Sequence, residues 1–218
     1  MYAPCVFGRN YTRSAPQVNE CALLLQGAEI YGILFTMKTA LVPLADGFED
    51  IEAVSIVDVV RRGGVQVVTA ALGKDRLVRS AHGIRMEADA LLSSVLEDEY
   101  DAIVLPGGGE GTENLLACES LAARLQRQKA EGRFVCAICA APTVLEAAQV
   151  LEDEDVTCYP SCAAQMGRRV QSVPVVADGL VITGQGPGSA ALFGLVVLMH
   201  LTDERTAHGV ANGMLTEL

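Results

Sequence analysis

The chain has no tryptophan, aromatic residues make up 5% of its 218 positions, and its histidines are three: His82, His200 and His208. With so few imidazoles and one Cys-x-x-Cys pair, Cys136/Cys139, a structural zinc site is disfavoured and no metal is expected. A basic stripe is also missing. Lysine and arginine total 16 against 27 acids, a formal charge of −11, so a phosphate backbone or an anionic membrane is repelled on average. Gly107-Gly108-Gly109 lacks the Lys-Ser/Thr ending of a P-loop and the spacing of a dinucleotide fingerprint, which argues against a bound nucleotide. Seven cysteines, an odd number without regular spacing, do not form the framework of a small secreted domain, and they suit a reducing, cytoplasmic setting.

Half of the residues are hydrophobic and a fifth are charged, a composition common in α/β folds built from Val, Ile, Leu and Ala. A second start is visible at Met37. Residues 1–36, with Arg9, Arg13, Glu20 and Glu29 around an apolar Cys21–Leu25 stretch, fit neither a transmembrane span nor a clean signal peptide. They read as an extension, disordered or joined by gene-model error, with organelle targeting left open. Residues 37–218 form the expected domain.

Within it, strands are predicted at 38–44, 65–71, 101–105 and 133–138, with helices at 50–62, 112–130 and 140–149 between them. An extended region covers 77–88. Short strands near 173–176 and 180–183 and helices near 187–201 and 203–216 complete the chain. The alternation implies a largely parallel sheet with helices on both faces, whose sites gather at the carboxyl ends of the strands. The segments after strands 38–44, 101–105 and 133–138 should therefore converge on one rim.

Cys139 follows the apolar strand Phe134–Ile138 and precedes a helix, between the small residues Ala137 and Ala141. A nucleophile on a sharp strand-to-helix turn needs small neighbours, because the two elements approach closely there. A thiol at a helix N-terminus is expected to have a lowered pKa. Cys136, inside the strand pattern, reads instead as an inert buried thiol. Among the acids that open helix 50–62, Glu52 has a specific use. A carboxyl beside a thiolate has its pKa raised by repulsion and desolvation, stays protonated and can donate to sulfur. The glycine run, with Gly107 lining the site, lets the amide of Gly108 face a thiolate or an oxyanion together with the amide of Ala140.

Ala45-Asp-Gly-Phe-Glu-Asp-Ile-Glu-Ala53, Val104-Leu-Pro-Gly-Gly108, Ala137-Ile-Cys-Ala-Ala-Pro142 and Thr183-Gly-Gln-Gly-Pro-Gly188 together resemble the ThiJ/PfpI superfamily, in its branch of the parkinsonism-associated protein deglycase and bacterial homologues. The resemblance implies a flavodoxin-like three-layer α/β sandwich, a homodimer, and a cofactor-independent site with Cys139 as nucleophile and Glu52 as its acid partner. It implies action on small reactive aldehydes, as a glyoxalase converting methylglyoxal to lactate, or on glycated adducts, as a deglycase for which nucleic acid enters only as a glycated substrate. The alternative is a peroxide sensor or redox chaperone working through oxidation of Cys139.

Two positions depart from that pattern. Tyr159-Pro160 stands where many members carry a histidine, and a phenol is a poor base near neutral pH although it can donate a hydrogen bond. Ser80-Ala81-His82 stands where close relatives have Ser-Arg, so His82 is a candidate replacement across a dimer interface, against the reading of a lone surface histidine. Cys158 and Cys162 flank Tyr159 and are candidate resolving thiols for an oxidised Cys139.

Overall fold

A computed structural model describes residues 37–218, so the expectation for residues 1–36 lies outside the described part. The main sheet has seven strands: β1 (Thr39–Leu44), β2 (Gln66–Ala71), β5 (Ala90–Leu91), β6 (Ala102–Leu105), β7 (Phe134–Ile138), β8 (Val175–Asp178) and β9 (Val181–Gly184). Their order is β5-β2-β1-β6-β7-β9-β8, parallel throughout except for the β8/β9 pair. This is the expected flavodoxin-like arrangement. The order reverses between β1 and β6, and the crevice outside their carboxyl ends is where such sheets bind ligands.

Side-chain alternation divides the core into two layers. Ala40, Val42 and Leu44 of β1, Val104 of β6 and Cys136 and Ile138 of β7 belong to one layer, covered by α1 (Asp50–Arg62), α6 (Ala190–Leu201) and α7 (Glu204–Gly213). Leu41, Ile103, Leu105, Val135 and Ala137 face the other, covered by α3 (Gly109–Leu116), α4 (Glu119–Ala130) and α5 (Pro142–Ala147). Near-continuous apolar strands suit a sheet buried on both faces. From α4, Arg124 Nε donates to the Leu96 carbonyl at 3.0 Å and Gln128 Nε2 to that of Tyr100 at 2.8 Å, anchoring the segment that leads into β6.

Several boundaries differ from the sequence-based expectation. The helix expected at 112–130 is two helices, broken at Ala117-Cys118. Leu115 and Leu121 are both buried, yet six positions fall about a third of a turn short of two full turns, so one straight helix cannot turn both inward. The helix expected from 140 begins at Pro142, which has no N–H to leave unpaired and is suited to a first helical position. The extended region 77–88 is a hairpin of β3 (Leu77–Arg79) and β4 (Arg85–Glu87), separate from the main sheet. A one-turn helix, α2 (Leu92–Val95), and a 3-10 helix, Pro160–Gln165, had no clear apolar period to announce them. Among the described residues no helix is long and apolar enough to cross a membrane.

Candidate functional site

Three segments converge at the carboxyl ends of β1, β6 and β7. After β1, the loop 45–49 leads into α1, where Glu49 caps the helix by accepting the Glu52 N–H at 2.7 Å. That cap turns Glu52 inward, fully buried on the α1 side of the sheet. After β7, Cys139 adopts φ 64°, left-handed backbone that a residue with a Cβ rarely visits. The turn has a directional effect. Continued alternation would send residue 139 to the layer of Val135 and Ala137, whereas Cys139 packs in the layer of α1 and α6, the face that holds Glu52. Strain of this kind costs about 1–3 kcal/mol and is sustained by the surrounding bonds. Here the Cys139 N–H donates to the Gly184 carbonyl at 2.9 Å, and the Tyr159 N–H donates to the Cys139 carbonyl at 2.8 Å.

After β6 the chain passes between these two groups. Gly107 N–H donates to Glu52 Oε2 at 2.8 Å. A Cβ on Gly107 would lie 2.8 Å from Cys139 Cβ and 2.9 Å from Glu52 Oε2, so the site admits only glycine there without displacement. Gly108 has φ 99°, and a Cβ on it would lie 2.2 Å from the Gly47 carbonyl oxygen. Its amide and that of Ala140 lie close enough to Cys139 to pull its thiol down. Gly109, as the first residue of α3, has open space where a side chain would be, so only the first two glycines of the run are sterically required.

Burial pushes the Glu52 carboxyl up from 4.5 to about 7; the Gly107 N–H and the Cys139 thiol oppose this shift, and the Glu49 charge adds to it. Burial pushes the Cys139 thiol up to about 12, with the Glu52 charge acting in the same direction and the Ala140 and Gly108 amides against it. The expectation of a thiol depressed by a helix N-terminus is therefore corrected. Helix α5 is only six residues long and starts three residues beyond the cysteine, while the thiol is 8% exposed and faces a carboxyl. The two groups titrate as a pair that holds one proton over a wide range above neutrality. Glu52 Oε2 accepts from Gly107, while among the described residues Oε1 has no fixed donor, so Oε1 is the oxygen free to carry that proton and share it with sulfur. Cys136, fully buried, is held still more firmly protonated by its surroundings.

Other candidates lie in different relations to this centre. Tyr159 is 45% exposed and joins it through its main chain. Cys158 is buried in the opposite core layer with Cys162 packed beside it, so the structure does not bring either thiol to the face of the sheet that holds Cys139. Their layer argues against a resolving role without rearrangement. Burial raises the Cys158 thiol to about 11. His82 lies in the β3–β4 turn, where its Nδ1 pairs with Asp50 Oδ2 at 2.7 Å. Burial alone would raise Asp50, but bonds from Ser80 and His82 outweigh it and hold the carboxyl low. Asp50 in turn raises His82. Glu49, Asp50 and His82 bring ligand-capable atoms within 4.8 Å of one another, but both carboxylates are already engaged by Glu52, Ser80 and His82. This network escaped sequence reasoning because Ser80 and Asp50 are 30 residues apart. The role of Gly184 was likewise hidden: its carbonyl holds the elbow, although its motif was visible.

A strained cysteine behind a parallel strand, next to the switch point of a flavodoxin-like sheet and paired with a buried carboxyl, defines an α/β protein of the elbow-thiol class. Residues 38–200 match the model of the DJ-1/PfpI family, and the chain belongs to that family. It is 36% identical over 181 residues to dj-1beta of Drosophila melanogaster, covering 82% of this chain and 97% of that protein. It is 36% identical over 165 residues to a Caenorhabditis elegans protein named glutathione-independent glyoxalase DJR-1.2, covering 74% and 87%. DJ-1 homolog A of Arabidopsis thaliana is 37% identical over 187 residues, covering 82% of this chain; the chain spans only 46% of that relative and 41% of homolog B. The crystal structure of Drosophila DJ-1beta superposes with a TM-score of 0.81 at 35% identity, covering 84% of this chain and all of the other. Oxidised Toxoplasma gondii DJ-1 gives 0.79 at 35% identity, covering 83% and 100%.

Proposed function

We propose that the protein is a glutathione-independent glyoxalase that converts methylglyoxal to lactate, with deglycation of early adducts as a second outlet of the same chemistry. The observation that carries this reading is the pairing of the Cys139 thiol with the buried Glu52 carboxyl, under the amides of Gly108 and Ala140. The relative named as a glutathione-independent glyoxalase supports it.

In the singly deprotonated pair, Glu52 takes the thiol proton and sulfur attacks the aldehyde carbon. The Gly108 and Ala140 amides stabilise the oxyanion, and Glu52 returns the proton to give a hemithioacetal. Glu52 then removes the hydrogen on the former aldehyde carbon, forming an enediol, and reprotonation at the neighbouring carbon yields a lactoyl thioester. Water cleaves that thioester, releasing lactate and the thiol. The former aldehyde carbon is oxidised and the ketone carbon reduced, so no external oxidant enters. In the deglycase reaction the C–S or C–N bond of a hemithioacetal or aminocarbinol of methylglyoxal with cysteine, lysine, arginine or guanine breaks, the thiol or amine leaves with a proton, and the former aldehyde carbon passes to the Cys139 sulfur as the same hemithioacetal.

Lactate formation without glutathione, compared among wild type, Cys139→Ser and Glu52→Gln, tests the reading. Wild-type turnover no faster than that of the variants refutes it. A second reading, a peroxide sensor, is favoured by the unpaired Glu52 Oε1, which can donate to a sulfinate on Cys139, and by a relative whose structure is described as oxidised. Intact mass after mild peroxide shows whether Cys139 gains two oxygens. The proposed active form is a homodimer. Ile51 and Val54 lie one turn apart on the outer side of α1, 57% and 55% exposed, and Ile84 is 60% exposed on the hairpin tied to α1 through Ser80 and Asp50. Sedimentation of wild type against Ile51→Lys checks this.

A further inference from the structure

Next to the elbow lies a cavity of about 470 Å³, lined by Tyr159, Pro160, Pro174, Gln185 and the Gly186–Ser189 turn. Its walls are the two segments bonded to the nucleophile's own peptide groups: Tyr159 donates to the Cys139 carbonyl, and the Cys139 N–H donates to Gly184, directly before Gln185. The Gly186–Ser189 turn runs into α6, whose Ala190 and Phe193 share the core layer of Cys139. Cys158 is buried in the opposite layer, and Tyr159, the next residue, is in extended backbone with its ring against Gly186. The cavity thus adjoins the two segments that hold the peptide groups of Cys139.

Two properties define its occupant. A methyl group fills little more than the volume of one water, about 30 Å³, so methylglyoxal leaves most of this space wet. None of the lining residues is charged, three are proline and one presents an aromatic ring. Pockets of about 300–1,000 Å³ with such walls take small apolar groups. We infer that this cavity receives the substituent of the carbonyl substrate, and that the substrate class preferred over methylglyoxal is 2-oxoaldehydes with a bulky neutral apolar substituent, as in arylglyoxals. The inference rests on the glyoxalase reading above. With phenylglyoxal the reaction adds one water and gives mandelate: the aldehyde hydrogen leaves as a proton to Glu52, one proton returns to the ketone carbon, and water cleaves the mandeloyl thioester.

Gly186 provides the test. Its φ of 168° is extended backbone open to any residue, and a Cβ there would lie 3.3 Å from Tyr159 Cδ2, so Gly186→Val places its methyls in the cavity. One extra or missing methylene in an apolar pocket discriminates by about 10–200-fold. The measured quantity is the ratio of kcat/KM for phenylglyoxal to that for methylglyoxal. Wild type should favour phenylglyoxal by about tenfold or more, and Gly186→Val should lower the ratio at least about fivefold. Tyr159→Ala, which removes one wall, should lower it as well. Run at high salt to screen the net charge, 4-carboxyphenylglyoxal should be disfavoured against phenylglyoxal in wild type. Methylglyoxal turnover in each variant reports an intact fold. Turnover of methylglyoxal with a ratio unmoved by both substitutions overturns the cavity assignment alone. Absence of methylglyoxal turnover in wild type overturns the glyoxalase reading and the assignment together.

Discussion

Replacing Glu52 by Gln should abolish carbonyl turnover and at the same time stabilise the fold, by an amount that depends on pH. The carboxyl is fully buried, and its pKa rises from 4.5 to about 7 in the folded chain. The folded state therefore binds this proton more tightly than the unfolded state. Below about pH 4.5 both states are protonated and Glu52 carries no penalty; stability then falls as pH rises and levels off above about 7. Each pH unit is worth about 1.4 kcal/mol, so the full penalty is about 3 kcal/mol. Gln keeps an oxygen for the Gly107 N–H and has no charge to bury. Urea unfolding of wild type and Glu52→Gln at pH 5 and pH 8 should show the variant more stable at pH 8 by about 3 kcal/mol, with most of that gain gone at pH 5. In thermal melts this corresponds to roughly 6–12 °C at pH 8 for a domain of this size. An equal change at both pH values, or a loss at pH 8, would refute the buried-acid reading.

The rate of lactate formation should depend on the same ionisation: kcat/KM rises through a midpoint at about pH 7, where the pair loses its first proton, and stays level toward the thiol's value of about 12. Gly107→Ala should keep the far-UV spectrum and lose about 100-fold or more in kcat/KM, because its Cβ displaces both Cys139 and Glu52. Arg124→Ala and Arg124→Met should each cost about 1–3 kcal/mol in urea unfolding, since neither residue can donate to the buried Leu96 carbonyl; no loss in either variant would refute the anchoring role. Mild peroxide should add oxygens to Cys139 equally in wild type and in Cys158→Ser/Cys162→Ser; a Cys139–Cys158 disulfide in the peptide map would contradict the separation of their core layers.

What the sequence could convey follows from the range of each interaction. The strands β1, β6 and β7 are short apolar runs bounded by Gly, Pro or charge, so their place in a buried parallel sheet was readable, as was the elbow, from the small residues around Cys139. The break between α3 and α4 required knowing that Leu115 and Leu121 must both face inward, which is a fact about tertiary packing. The direction of the Cys139 shift depended on how deeply the thiol is buried and on how short α5 is, and neither is written in the local motif. Cys158 looks near to Cys139 in the sequence because it flanks Tyr159, which the resemblance places beside the elbow. Yet Cys158 packs in the layer of α3–α5, and the left-handed turn carries Cys139 to the other layer, which separates the thiols.

The strain at Cys139 and the buried acid at Glu52 act on one another. If residue 139 followed the strand's alternation, its thiol would face the layer of α3–α5, and Glu52 would be a buried carboxyl with no group to exchange a proton with. If Glu52 were absent, the left-handed turn would deliver sulfur to an apolar layer in which burial alone keeps it protonated. Only the combination leaves a sulfur whose proton has a destination within the site, and both unfavourable terms fall on the same two residues. Stability given up at a site and tied to specific bonds around it is the pattern of a working centre. Cys136, three residues earlier in an unstrained strand and more deeply buried, shows the contrast: no carboxyl among the described residues faces it and it packs as a small apolar side chain.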